Sequence, residues 1–269
     1  MTTNVNYRLR LFLLSAAGML LSSLAYAQDA LPKAEALIDK AFEASGGKAA
    51  HQKLNSRVIK GTLEIPAMGL RGELAIYHMR PNLMYTLVEI PDVTKQQRGF
   101  DGKVGWEIET TQGPRLMEGE ELKELTLDAD FDSDLKWRER YPKVETVALE
   151  DVNGKPAYKV ELTDSEKKKT VNYYDKDTNL LVRSDSIYDS PMGSLPVESY
   201  FEDFRKVGDF TIAHRQRILV TNSERIITYT SIENNAKIEK DRFALPDEIK
   251  ALVKDQKAEE KTESKTDQP

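Results

Sequence analysis

The sequence predicts an α+β protein built on one strongly curved antiparallel sheet, a half-open barrel of roughly a dozen strands with helices covering its open side. Three observations lead there. From residue 58 to residue 234, short runs alternate apolar and polar residues at period two, and turn signals return about every 8–12 residues. No parallel βαβ rhythm and no repeat of fixed period interrupts them. Helical patterning is confined to the start of the chain and to one break at 118–140.

The N-terminus reads as a secretory signal peptide over residues 1–27. Arg8 and Arg10 precede an apolar run that ends in Ala25-Tyr26-Ala27, an A-x-A cleavage site, and the run is too short to span a membrane. Removing two arginines and no acid takes the net charge from −6 to −8, which disfavours nucleic acid, since phosphate binding needs a basic footprint. The chain has no cysteine, so a core must hold it together without disulfides, and no lipidated cysteine can anchor it. A periplasmic protein that does not itself span a membrane is the expectation, with one domain over residues 28–250.

The elements follow in order. Residues 31–45 make an amphipathic helix with Leu37, Ile38, Ala41 and Phe42 on one stripe, ended by Gly46-Gly47, and a shorter helical piece occupies 49–54. The first strand carries Ile59, Leu63 and Ile65 on one face and stops at a Pro66-Ala67-Met68-Gly69 turn. In the next, Leu74, Ile76, His78 and Arg80 share one face and Ala75, Tyr77 and Met79 the other, until Pro81 breaks it. Residues 83–90 are apolar on both faces, as for a strand covered on both sides. Asp101-Gly102 is a hairpin signal leading into Trp106. After the acidic helical break, in which Trp137 is expected to anchor the return to the core, strands resume at 144–149, 158–162, 171–174, 180–188, 195–204, 210–220 and 225–234. Residues 251–269 hold almost nothing apolar and read as a disordered charged tail.

Arg80-Pro81-Asn82-Leu83, then Asp101-Gly102-Lys103 with Trp106, and the closing Phe243-Ala244-Leu245-Pro246 together resemble the LolA family of periplasmic lipoprotein carriers and the looser set of outer-membrane lipoprotein-sorting proteins. The specific match is the stretch from Arg80 to Trp106; elsewhere the resemblance is one of order and pattern. It implies a hydrophobic cavity for the acyl chains of lipoproteins or other lipids. It also implies an inner-membrane transporter that loads the carrier and an outer-membrane acceptor that unloads it. Arg80 stands where the family keeps an arginine that hydrogen-bonds to a helical lid and holds the cavity closed. The 118–140 segment and the longer C-terminus depart from the smaller carriers, which leaves Arg80's partner open.

The residues expected to line such a cavity are Leu63, Ile65, Leu74, Ile76, Leu83, Met84, Leu87, Trp106 and Val160, with Arg80 at its edge. The plainer alternative is an ordinary core position for each apolar residue and a solvated strand end for Arg80. A sheet curled too widely for its side chains to fill would instead leave a ligand cavity. An EF-hand-like run, Asp128, Asp130, Asp132, Asp134 and Glu139, offers a weak Ca²⁺ loop, but Ser133 stands where that loop needs glycine and Pro142 cuts the exiting helix. A solvated acidic loop accounts for it better, and no metal or cofactor is expected. Catalysis finds little support. The three histidines are widely spaced, and there is no Cys nucleophile, no G-x-S-x-G and no phosphate-cradling loop. Carboxylates are plentiful but fall mostly on polar strand faces, where solvation explains them. A carrier is the first expectation and not an enzyme. A periplasmic sensor or interaction module of the same fold, binding a protein partner in envelope regulation, is the alternative.

Overall fold

A computed structural model describes residues 30–190, 193–221 and 223–266. The expected signal peptide, residues 1–27, lies outside them. Two helices, α1 (Ala34–Ser45) and α2 (Gly47–Lys53), precede a run of six strands: β1 (Ser56–Ile65), β2 (Leu70–Met79), β3 (Leu83–Ile90), β4 (Thr94–Phe100), β5 (Gly105–Glu109) and β6 (Gly113–Leu116). A connection then carries α3 (Gly119–Ala129), a 3₁₀ turn at Ser133–Lys136 and α4 (Trp137–Arg140). Seven strands follow: β7 (Lys143–Val152), β8 (Lys155–Thr163), β9 (Lys169–Asp175), β10 (Leu181–Ser190), β11 (Gly193–Val207), β12 (Phe210–Val220) and β13 (Ser223–Asn234). A final helix, α5, spans Asp247–Thr266.

All 13 strands belong to one antiparallel sheet, in the order β6-β5-β4-β3-β2-β1-β13-β12-β11-β10-β9-β8-β7. The chain therefore meanders outward from β1 to one edge at β6, crosses to the other edge at β7 and meanders back until β13 pairs with β1. The sheet is not closed. The α3–α4 segment is the single crossing between its two free edges, so the interruption seen in the sequence is the element that bridges the open side. The expected curved sheet with covering helices is the observed architecture. The short β6, which contains Pro114, escapes the sequence reading because four residues with a proline carry no alternating pattern.

Register assigns the faces. Along β1 and β2, Arg57, Ile59, Leu63 and Ile65 lie on the face that carries Leu74, Ile76 and His78, here called the inner face because α1 to α4 pack against it. Tyr77, Tyr85 and Trp106 line up across β2 to β5 on the outer face through Gly99. A Cβ at Gly99 would sit 2.6 Å from the indole of Trp106, so only glycine lets that ring lie over the neighbouring strand.

On this outer face the C-terminal segment differs from expectation. Where the composition predicts a disordered tail from residue 251, the chain continues as α5, and Leu252 and Val253 pack with Phe243 and the fully buried Ile249 against Tyr85 and Trp106. Its opening turns are amphipathic enough to be held by the sheet. The remainder is rich in Lys, Glu and Ala, residues that extend a helix once it has been nucleated.

Candidate functional site

The inner face is filled unequally. Over β3 to β5, α3 presents Leu122, Leu125 and Ala129 to Met84, Phe100 and Met117, and the packing is continuous. Over β8 and β9, α1 sets Ala34, Leu37 and Ile38 on Val160, Leu162 and Tyr174, with Trp137 of α4 completing the cluster, as its anchoring role requires. Between α1, α2, α4 and the floor formed by β9 to β13 and β1 a cavity of about 520 Å³ remains, a size typical of small-molecule sites. Ala41 and Phe42 from α1 and Tyr141 beside α4 form its roof, and Phe201, Phe204, Phe210, Ile212 and Tyr229 its floor. Gly46 brings the end of α1 onto that floor. Its φ of 145° and a Cβ position 2.7 Å from the Phe210 ring both exclude a larger residue.

Arg80 pins the covering elements. Its Nε donates to the carbonyl of Leu54 at 2.7 Å and its Nη2 to the carbonyl of His51 at 2.8 Å, two acceptors at the C-terminal end of α2, of which the His51 carbonyl also takes the Leu54 amide. Its Nη1 pairs with the carboxylate of Asp132 in the crossing segment, and the guanidinium lies 5.0 Å from the centre of the Phe131 ring. Two further bonds hold the same place: His78 Nε2 meets the carbonyl of Ala129 at 2.7 Å, and the Phe131 amide donates to the carbonyl of Pro81 at 3.1 Å. One planar, permanently charged side chain thus joins the end of β2 to α2 and to the crossing lid.

The cavity is apolar with a polar corner. His51, Arg57, Asp134, Asn172 and Gln216 line it beside the aromatic rings. Burial lowers the pKa of His51, Asp134 and Asp132 opposing that shift, and burial also lowers the pKa of Arg57. It pushes the Tyr174 hydroxyl up to about 12 and raises that of Tyr229, so both phenols stay neutral. Such a site can solvate an apolar chain and give one polar group a hydrogen-bonded seat.

Of the residues expected to line a cavity, none borders this one. Leu83, Leu87 and Trp106 face outward into the cluster beneath α5. Met84 packs under α3 and Val160 under α1. Leu74 is buried; Leu63, Ile65 and Ile76 are half-buried on the inner face beyond the cavity, with Leu63 paired to Ile227 and Ile227 to Gln216 of the floor. The lining residues that sequence reasoning missed include the aromatic floor of Phe201, Phe204, Phe210 and Tyr229. Period two would have separated Phe201 from Phe204, but Asp203 between them takes a left-handed φ of 54° and breaks the alternation.

The five acids of the Ca²⁺-like run do not converge. Asp130 bonds Lys136, Asp132 holds Arg80, and Asp134 faces the cavity. Asp128, exposed at the surface, lines a separate polar hollow of about 410 Å³ beside Arg140, its carboxyl raised by desolvation against the opposing charges of Arg98 and Arg140. Among the described residues no group of three His, Asp or Glu side chains is placed to hold a metal ion.

No family model and no curated protein matches the chain. Solved structures do. A DUF1329 family protein from Desulfovibrio piger superposes with a TM-score of 0.54 at 16% identity, covering 80% of this chain and 98% of that one. A LolA superfamily protein from Nitrosomonas europaea superposes with a TM-score of 0.53 at 13% identity, covering 80% and 99%. The fold is that of LolA superfamily proteins. No helix among the described residues is long and apolar enough to cross a membrane.

Proposed function

We propose that the protein is a periplasmic carrier that binds acyl chains of lipoproteins or other lipids in this cavity and moves them towards the outer membrane. The observation that carries the reading is the apolar cavity of about 520 Å³ beneath helices that Arg80 ties together. Affinity comes from burying chain, at about 0.8 kcal/mol per CH₂. Entry spreads the covering helices and strains the Arg80 bonds, so binding and opening are coupled. An inner-membrane transporter that loads the cavity and an outer-membrane acceptor that empties it complete the cycle. The A-x-A site after an apolar N-terminal run supports the periplasmic setting.

The test is to isolate the protein from a bacterial periplasm without detergent, extract it with organic solvent and identify bound lipids by mass spectrometry. Stoichiometric acyl species are expected. A clean extract from protein that also takes up no fluorescent fatty-acyl probe would sink the carrier. A sensor or interaction module of the same fold is the second reading. It is favoured by exposed apolar side chains, Met68 at 67% exposure in the turn between β1 and β2 and Ile187 at 52% on β10, which offer a surface to a protein partner. Stable capture of a membrane regulator by lipid-free protein, lost on Ile187→Ser, is its signature.

A further inference from the structure

Strand β1 places a charged group among the aromatic rings of the cavity wall. Arg57 donates from Nε to Asn234 at 2.8 Å, and its guanidinium lies 4.8 Å from the centre of the Phe210 ring. Its Nη2 is buried and has no hydrogen-bond partner among the described residues. His51 packs against the same ring in an edge-on arrangement, 5.2 Å away centre to centre, and its Nδ1 is also buried and without a partner among the described residues. Both residues line the cavity. A buried polar atom left unpaired is costly, and more so when charged; Arg57 Nη2 is a donor and His51 Nδ1 becomes one in its Nδ1–H tautomer, so the pair beside one ring in a ligand-sized cavity calls for an acceptor that satisfies both.

The charges around them favour an anion. Arg57 and Arg140 line the cavity against one carboxylate, Asp134, while burial favours the neutral form of His51. Asp134 and Arg140 are both exposed, so solvent screens them; Arg57 keeps an inward-facing charge and has no ion pair among the described residues. A neutral ester carbonyl could accept one bond from Nη2, yet it would leave the guanidinium charge uncompensated. An oxygen acid supplies acceptors and counter-charge together. Beyond Tyr229 the inner face continues through Ile227, Leu63 and Ile65, an apolar track leading away from the polar corner.

We propose that the cavity selects single-chain amphiphiles with an anionic head, a carboxylate or a phosphate, seated on Arg57 and His51 while the acyl chain lies over Phe201, Phe204 and Tyr229. This rests on the carrier reading and names the class of cargo. Titration calorimetry on the chain from Gln28 onward, at pH 7.5 and below micellar concentrations, compares decanoate, monodecyl phosphate and methyl decanoate. At least one anion is expected to bind about tenfold or more tightly than the ester, as a charge-assisted bond warrants. Whichever anion leads identifies the head. Arg57→Met should erase the preference, bringing the affinity for the leading anion down to that for the ester measured on the same variant. Equal binding of all three to the unaltered protein overturns the anion reading and leaves the carrier standing, whereas no binding by any of them removes the carrier itself. If Arg57→Met does not fold, carboxyl-¹³C decanoate bound to the unaltered protein decides. A carboxyl titrating below its free value supports the seat; one titrating at or above it overturns the seat.

Discussion

The two halves of the sheet solve the same covering problem in opposite ways. From β1 to β6 both faces find helices: α3 fills the inner side through Leu125 and Ala129, and α5 closes the outer side over Tyr85 and Trp106. From β7 to β13 none of the described helices packs on the outer face. It is roofed by side chains in a cross-strand row, Lys159, Tyr173, Arg183, Tyr200 and Arg217, in which cations and rings alternate at 4.7–5.7 Å. On the inner side α1 and α2 cover only part of the floor and the cavity remains. A strand apolar on both faces thus marks the half of a sheet that is packed twice. The cavity lies where aromatic and polar residues share a face and the helices cannot settle on them.

That contrast is broken most severely by emptying the packed half. Trp106 is 1% exposed, and Trp106→Ala should cost about 3–5 kcal/mol. Phe201→Ala, which enlarges an existing void, should cost only about 1 kcal/mol, because that ring already lacks neighbours on one side. Equal losses in denaturant unfolding would mean that the two halves are packed alike. Acyl binding should respond the other way, falling in Phe201→Ala and staying unchanged in whatever fraction of Trp106→Ala remains folded.

The next largest effect separates the lid from the sheet. Arg80→Met removes three donated bonds and leaves Asp132 without its partner, so a loss of about 2–4 kcal/mol is expected. Hydrogen exchange should accelerate at residues 130–141 and at the end of α2, with the amides of β3 and β5 unchanged. Uniform acceleration would show that Arg80 supports the whole domain and not its cover.

These contrasts also define what could be read from the amino acids. Alternation and turn residues act within a few positions, so they reported the strands, the face shared by Leu74, Ile76 and His78, and the helical break at 118–140. The position of the void depends on which helix reaches which strand, a long-range matter no local pattern records. Leu83, Leu87 and Trp106 had the composition of a greasy cavity wall and instead lie under α5, whose own apolar residues are too few to stand out. Phe201 and Phe204 were hidden by a single left-handed residue between them.

On the outer face of the β7–β13 half, Arg183 is the middle of the row, 5.0 Å from the centres of both Tyr173 and Tyr200 and paired with Asp185 and Glu198. Arg183→Met keeps much of the stem and removes the charge, so about 1–2 kcal/mol should be lost. The loss should shrink in 1 M salt if ion pairing dominates and persist if stacking on the rings dominates. The same salt series on Trp106→Ala should show no such dependence, since that half rests on apolar burial.

The smallest expected effect distinguishes the halves by pH. Desolvation holds the His78 imidazole below the usual value of 6.5, with the Ala129 carbonyl opposing that shift, Arg57 reinforcing it and Asp130 opposing it. Because the folded value lies below the unfolded one, the unfolded chain binds more protons between the two. The contribution is therefore complete above about pH 6.5 and is lost as pH falls through the folded value. The bond to Ala129 sits where α3 meets the lid, so acid should loosen the crossing segment before it disturbs the sandwich around Trp106. His78→Gln keeps an amide donor near the Nε2 position without a titrating group. Its melting temperature should be flatter between pH 7 and pH 5 than that of the unaltered protein. Identical pH profiles would place the acid sensitivity elsewhere, with Glu121 the next group to examine, since Arg115 holds its carboxylate below the usual range and ties α3 to β6.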